Sequence, residues 1–532
     1  MKIIQYILLG TVLFATFSCK KFLEEKPEGF IQTENYYTTE VDAINAVNAV
    51  YFLLNQGGNA VQTPYNTLFN TGLNFMADDE FPGPGATNPD VRSMANLLHT
   101  SANLRVYELW QQHYAAVRKA NLALEKIPGI TMTQTLKDRL LAEAKFLRAL
   151  WYFNLVRLYG DVPLVLIPQN GITAAEYAVE RAPSSVVYAQ IEKDLQEAAS
   201  VLPVSYTAPN VGRATKGAAL ALLSKVYLTK ASLPLNITQH YQDAVSTAEL
   251  VLSPADGGTG TFGYALQTNY AQVFLPAFKN NSEHIFSAQF KSGTSSTHLT
   301  QGNNQNPRSI RAAIPGLAGS YADQVWFYDK PDSNKPDKVD HFFSVFKLYS
   351  PKDKRRDVSF VTNYKVAGKV YGALNNEKIQ GSKLDSIPYF NKAWDPGSTA
   401  ATSESAANVA IIRYAELLLI HAEAENELNG PTAKAYSSYN KVRNRAGLAD
   451  LTPGLDKDQF RDSLYLDRRL ELVFEYQRWF DLVRQKDASG NSIFVSTLKA
   501  QGKINANDRH RLHPIPLNEI QVNPKLTQNP GY

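Results

Sequence analysis

Asp78, Asp79 and Glu80 stand side by side in a stretch rich in Pro and Gly, and Glu423, Glu425 and Glu427 alternate along a helical pattern. A glycosidase needs two carboxyls flanking the bond it cuts, one to protonate the leaving oxygen and one to attack or to activate water. Adjacency argues against that use here. Neighbouring loop carboxylates are common, and the three on the helix suit pairing with a facing helix. His510 and His513 share a spacing found in some metal sites, but no third ligand and no His-Glu-x-x-His accompanies them. Gly258, Gly260 and Gly263 meet the G-x-G-x-x-G spacing of a dinucleotide cradle. They follow a helical pattern where such a cradle follows a strand, so they predict a flexible loop. There is no Gly-x-Ser-x-Gly elbow and no second Cys for redox work. The residues therefore point away from an enzyme and call for no cofactor and no metal.

Binding remains, and composition narrows it. Lys and Arg (54) barely exceed Asp and Glu (50), for a formal net charge of +4 over 532 residues. That excess is too small and too dispersed for nucleic acid or for an anionic membrane surface. The basic run Lys352, Lys354, Arg355, Arg356 is broken by Asp353 and closed by Asp357, and reads as a solvated face.

The lone Cys19 is informative through its place. Lys2, an apolar run over residues 3–17 and then Ser18 precede it, the order of a secretory signal. The run is shorter than the ~20 residues a membrane-spanning helix needs. Ser18-Cys19 resembles a lipobox, with Thr16 where such boxes usually carry Leu. The expectation is a signal peptide over residues 1–18 and a lipid-carrying Cys19 opening the mature protein.

The elements that would position a binding site are mostly helical. Amphipathic periodicity predicts helices over 42–54, 104–127, 136–159, 184–202, 215–232 and 241–252, and again over 407–428, 432–446 and 457–485. Leu140, Leu141, Ala144, Leu147, Trp151, Leu155 and Leu158 give the clearest stripe, stopped by Gly160. Trp110, Trp151 and Trp479 fall inside helical patterns and are expected to pack between helices. Between about 254 and 405 the periodicity fades, Gly, Pro, Asn, Ser and Thr become frequent, and 283–290 and 358–366 read as small strands. Long irregular segments on a helical scaffold are where binding usually resides. The expected architecture is mostly α: stacked helical hairpins, any solenoid being irregular, with a loop-rich middle containing small strands.

Several segments, in order, resemble one family. They include Lys20 to Glu24 with Pro27, then Trp110, Tyr114 and Asn121, and the run from Ala142 to Ala149. Next come Tyr152-Phe153 and Tyr159 through Leu164. Arg413-Tyr414-Ala415-Glu416 follows, with Ala422-Glu423-Ala424 and Asn440 through Leu448. Last are Arg469, Glu471-Leu472, Phe474-Glu475, Arg478 through Leu482, Pro514-Ile515-Pro516 and the ending Asn529-Pro530-Gly531-Tyr532. After a lipobox, this order is similar to the SusD/RagB nutrient-binding lipoproteins of Bacteroidetes outer membranes. Arg468 departs from the family, which usually has Glu there.

The resemblance implies one SusD-like domain over residues 19–532, mostly α, with irregular tetratricopeptide-like hairpins and a loop-rich, ligand-facing region containing small strands. It divides into an N-terminal part (about 22–232), the loop-rich middle (about 254–405) and a C-terminal helical part (about 406–532). It implies a surface lipoprotein on the outer face of the outer membrane. Such a protein captures an oligosaccharide, or in some branches a peptide, and hands it to a SusC-like TonB-dependent transporter. A surface glycosidase and a protein-binding scaffold are the competing readings. The motif carboxylates read as ion pairs within one or two helical turns, Glu143 with Arg148, Glu416 with Arg413, and Glu471 or Glu475 with Arg478. At a surface such pairs contribute a few tenths of a kcal/mol each.

A sugar offers apolar C–H faces and a fringe of hydroxyls, so its site needs flat rings edged by amides or carboxylates. Residues 66–104 carry Asp78, Asp79, Phe81 and Asn88. Residues 292–343 carry Asn303, Asn304, Tyr321, Trp326 and Tyr328. The expected site has Trp326 as stacking platform, Tyr321 or Tyr328 beside it, and Asp79 and Asn88 bonding hydroxyls.

Overall fold

The computed structural model describes residues 37–55, 63–81, 88–168, 178–291, 345–361 and 406–532, with the short segments 326–327, 330–331, 339–340, 364–366, 369–371 and 389–392. Cys19, Tyr321 and Tyr328 lie outside the described residues.

The longer helices are α1 (Glu40–Asn55), α2 (Pro89–Ala95), α3 (Leu104–Lys126), α4 (Gln134–Tyr159), α5 (Ser184–Val201), α6 (Lys216–Ala231) and α7 (His240–Glu249). After the loop-rich region come α8 (Tyr414–Asn429), α9 (Ala433–Arg445), α10 (Lys457–Glu471) and α11 (Arg478–Arg484). Side-chain oxygens close their first turns. Asn103 accepts from the Arg105 amide, Thr215 from Ala218 and Thr432 from Ala435, and Asp456 forms a reciprocal capping box with Gln459. Gly160, with φ of +74°, ends α4 where an L side chain would be strained.

Consecutive helices pack as hairpins: α3 on α4, α4 on α5, α5 on α6, α6 on α7. The series continues across the gap in sequence, because α7 packs on α8 and α8 on α9 and α10. One hydrophobic core follows. Trp151, Tyr152, Phe153 and Tyr159 on α4 are buried, as are Leu417 to Ile420 on α8. Trp110, Trp151 and Trp479 are all buried among helices, as their periodicity predicts. Burying one such side chain contributes roughly 1.5–3 kcal/mol, several times any single helix propensity, so packing and not propensity holds the stack.

Three local expectations are corrected. The predicted helix over 407–428 begins only at Tyr414. Val409–Arg413 is a strand, β6, pairing antiparallel with β2 (His284–Ala288), and β2 is buried throughout. Strand propensity in Val409, Ile411 and Ile412 prevails over helical spacing because an edge awaits pairing. In 358–366, Lys354–Ser359 is helical and the first strand starts at Phe360. The single helix predicted over 457–485 is broken: α10 ends at Glu471 and α11 starts at Arg478. Between them Phe474 and Tyr476 take φ of +64° and +61°, conformations costly for large side chains.

The glycine loop is not loose. The Thr259 amide donates to the Glu249 carbonyl (2.7 Å) and Gly260 to Leu252 (2.8 Å), capping the end of α7. A Cβ at Gly258 would lie 2.1 Å from the Leu252 oxygen, so glycine serves close backbone approach there.

Candidate ligand-binding site

A two-residue antiparallel ladder joins the two loop segments that sequence reading singled out. Glu80 of β1 (Glu80–Phe81) faces Phe327, and Phe81 faces Trp326, of β3 (Trp326–Phe327). Near β3 runs β5 (Tyr389–Phe390), itself paired with β4 (Phe360–Val361) through Phe360–Phe390 and Val361–Tyr389. Aromatic residues thus occupy most positions of these four short strands, on segments far apart in sequence.

Such short ladders cannot stand alone, and the helix break between α10 and α11 supplies their anchorage. Behind β1, Arg478 donates to both oxygens of Asp78, at 2.7 and 2.8 Å. Arg469 donates to Asp79 Oδ1 at 2.8 Å and lies 3.1 Å from Asp78 Oδ2. Behind β5, Lys392 donates to the carbonyls of Glu471 and Val473 and pairs with Glu475 at 2.6 Å. Arg355, just before β4, pairs with Asp353 and Asp467. A small second core of Phe75, Val91, Val345, Tyr349, Phe360, Leu470, Val473 and Phe474 fills the space between. The strained turn therefore collects the charged and apolar fastenings of the loop region.

Each expected hydroxyl-bonding residue has a definite place. Asp79 is buried, 4% exposed, and is engaged by Arg469 through Oδ1, while Oδ2 has no hydrogen-bond partner among the described residues. Burial, with the Asp78 charge beside it, raises its pKa despite Arg469. Asp78 is the opposite case. Burial opposes its ionisation, but Arg469 and Arg478 outweigh burial and hold its carboxyl well below the usual range. Glu80, bonded by Asn74 at 2.9 Å, is pushed well above the usual range by burial and by the Asp79 charge. Asn88 is exposed and caps α2, its Oδ1 accepting from the Asp90 and Val91 amides at 2.9 and 3.1 Å. The backbone of Trp326 sits in β3; Tyr321 and Tyr328 lie outside the described residues.

The motif carboxylates are paired, but with other partners than sequence spacing predicts. Glu143 binds Arg213 at 2.8 Å, and Arg148 instead clasps Asp194 at 2.7 and 2.8 Å. Glu416 binds Lys225 and Arg468, both at 2.9 Å. Arg413 binds Glu283, Glu471 and Glu475 at 2.6–2.8 Å, and Arg445 shares Glu283 and Glu471. These are buried inter-element pairs. Their loss costs several kcal/mol where a surface pair costs tenths. Arg468 is absorbed by them, its second carboxylate being Asp481 at 2.9 Å. The anchoring roles of Arg469, Arg478 and Lys392 carry no local signal, since each partner is remote in sequence.

His510 and His513 are buried beside His99, ring centroids 5.6 Å from it in both cases. Burial pushes them down to about 4 and about 3. Among the described residues, no group of three or more His, Cys, Asp or Glu is arranged to hold a metal ion. No described helix is long and apolar enough to cross a membrane. A cavity of about 770 Å³ lies apart from this region, and its described lining includes neither Asp79 nor Asn88.

Two family profiles match the chain. One described as "SusD family" covers residues 282–532, and one described as "Starch-binding associating with outer membrane" covers residues 21–228. SusD-like protein P2 of Formosa agariphila is 28% identical over 99% of this chain and 100% of its own length. Starch-binding protein SusD of Bacteroides thetaiotaomicron is 27% identical over 40% of this chain and 34% of its own. The fold is similar to the crystal structure of a SusD homolog from Bacteroides thetaiotaomicron, with a TM-score of 0.76, 26% identity, and coverage of 94% of this chain and 98% of that one. It is also similar to a laminarin-binding SusD-like protein, with a TM-score of 0.69, 26% identity, and coverage of 93% and 100%.

Proposed function

The chain belongs to the SusD/RagB family, and from that premise we propose that it is a surface glycan-binding lipoprotein that captures an oligosaccharide and delivers it to a SusC-like TonB-dependent transporter. It is anchored through a lipid on Cys19 to the outer membrane and faces the cell exterior. Trp326 is the stacking platform, with Tyr321 or Tyr328 beside it and Asn88 at the rim. Asp79 contributes its remaining oxygen.

One observation carries the site: the ladder that sets Phe81 against Trp326. It brings ring-bearing residues of two loop segments to one place, which a sugar face requires. Glycan as the ligand class rests on relatives named for starch and laminarin binding. A glycosidase is disfavoured by the engagement of Asp78 and Asp79 with Arg469 and Arg478. A general acid and its partner need freedom to meet the glycosidic oxygen.

The test is a panel of soluble maltooligosaccharides, laminarin fragments and short peptides, titrated against the full-length protein in mild detergent while reducing-end release is followed. Saturable glycan binding without release is the expected result. Peptide binding alone would move the ligand to the other branch of the family. Release of reducing ends would make the protein a glycosidase, and no binding of any kind would favour a scaffold.

A further inference from the structure

The cavity of about 770 Å³ lies between the helical stack and the C-terminal tail. That is within the range of small-molecule sites. Its walls are mainly apolar, with Val156, Leu228, Leu235, Phe480 and Leu512 among them. The polar groups reaching it are unbalanced. Seven cations line it against three carboxylates, Asp161, Asp481 and Asp508. Four of the cations have carboxylate partners: Arg468 and Arg484 with Asp481, Lys225 with Glu416, and Arg511 with Asp508.

Arg157, Arg181 and Arg509 have no carboxylate ion-pair partner among the described residues. Arg157 lies between Phe153 and Phe480, its guanidinium 3.8 Å from each ring centroid, and among the described residues donates only to the Phe153 carbonyl and the Asn154 side chain. Arg181 donates to carbonyls of Tyr159, Asp161 and Thr527, to the Thr527 hydroxyl and to the Asn529 amide oxygen. Arg509 is spent on the Gly531 carbonyl, His510 and the Tyr532 ring. Burial lowers Arg157 to about 10 and lowers Arg181 as well, as expected of guanidinium groups short of counter-charge. A second observation points the same way: Arg468 lines the cavity, is 2% exposed, and its buried Nη1 has no hydrogen-bond partner among the described residues.

We propose that this cavity binds a single-chain anionic amphiphile, with its carboxylate on Nη1 of Arg157 and Nη1 of Arg468 and its alkyl chain along the apolar wall. Apolar walls alone would take any oily molecule, and loose cations alone any anion. Their combination selects a ligand carrying both, because free guanidinium N–H groups bond a carboxylate while the chain leaves water. The site is separate from the aromatic strands, and the proposal does not rest on glycan binding.

The experiment is isothermal titration of the full-length protein with sodium decanoate below its micellar range, with 1-decanol and sodium acetate as the two halves of the ligand. Saturable binding of one decanoate, at least tenfold tighter than either half, is expected. Arg157→Gln should weaken it tenfold or more, and Arg157→Lys should recover part of the loss. No decanoate binding would overturn the proposal. So would equal binding of decanol, or wild-type affinity in Arg157→Gln.

Discussion

Arg478 reaches both carboxylate oxygens of Asp78, at 2.7 and 2.8 Å, from a point 400 residues further along the chain. The pair ties the loop that carries Phe81 to the first turn of α11, and with Arg469 it makes the helix break a fastening for the proposed site. Asp78→Asn should therefore destabilise the protein by about 3–5 kcal/mol, because two buried guanidinium groups lose their counter-charge. The pH dependence follows from the same pair. Asp78 is held below the usual carboxylate range in the folded state, so its contribution is present above about pH 4 and lost as the pH falls further. Urea unfolding at pH 7 and pH 3 checks both statements. A full-size loss at pH 7 that shrinks in acid is expected, and an unchanged midpoint at pH 7 would refute the anchoring role.

His113 gives a second pH signature at higher pH. It is fully buried, its Nδ1 lies 2.5 Å from the Leu109 carbonyl, and burial pushes it down to about 4. The unfolded chain takes up this proton first, near pH 6.5, so stability must fall as the pH drops from 6.5 to 4. The full loss is on the order of 3 kcal/mol. His510 and His513 add to it in the same direction. Thermal midpoints across this window, compared between the natural protein and His113→Gln, should show a flatter dependence in the variant. Parallel curves would mean that His113 is not the group responsible.

Trp326→Ala should weaken the best-binding oligosaccharide of the panel ten- to hundredfold, about 1–3 kcal/mol from the ring area withdrawn from contact with the sugar. The thermal midpoint should move little, since the residue belongs to a strand of only two residues. Wild-type affinity in this variant would place the platform elsewhere.

Cys19→Ala should release the protein from the membrane fraction. The several acyl chains of a bacterial lipoprotein anchor stably, and no described helix could span a bilayer in their place. Fractionation of cells carrying either form is the measurement. Retention of the variant in salt-washed outer membranes would exclude lipid as the anchor.

Arg413 should be far less tolerant than a surface arginine. It serves three glutamates at once, Glu283, Glu471 and Glu475, and is 1% exposed. Arg413→Met leaves these carboxylates buried beside fewer cations, and a loss of about 3–5 kcal/mol is expected in chemical denaturation. A loss of a few tenths would return the cluster to the status of a surface pair.

The helices were legible in the sequence because their determinants are local. An apolar stripe at 3.6-residue spacing, a capping oxygen such as Asn103 or Asp456 and a stop such as Gly160 all act within a turn or two. The same holds for the burial of Trp110, Trp151 and Trp479, and the order of motifs carried the family. What tertiary structure alone decided is where remote partners meet. Residues 472–477 have helical composition, yet they unwind because Glu471, Glu475 and the ring of Phe474 are claimed by Arg413, Arg445, Lys392 and a second core. Arg148 chose Asp194 over the nearer Glu143, and Phe81 met Trp326, for a related reason. A buried charge or an unpaired strand must find whichever complement the packed helices bring within 3 Å or so, and chain spacing does not encode that distance.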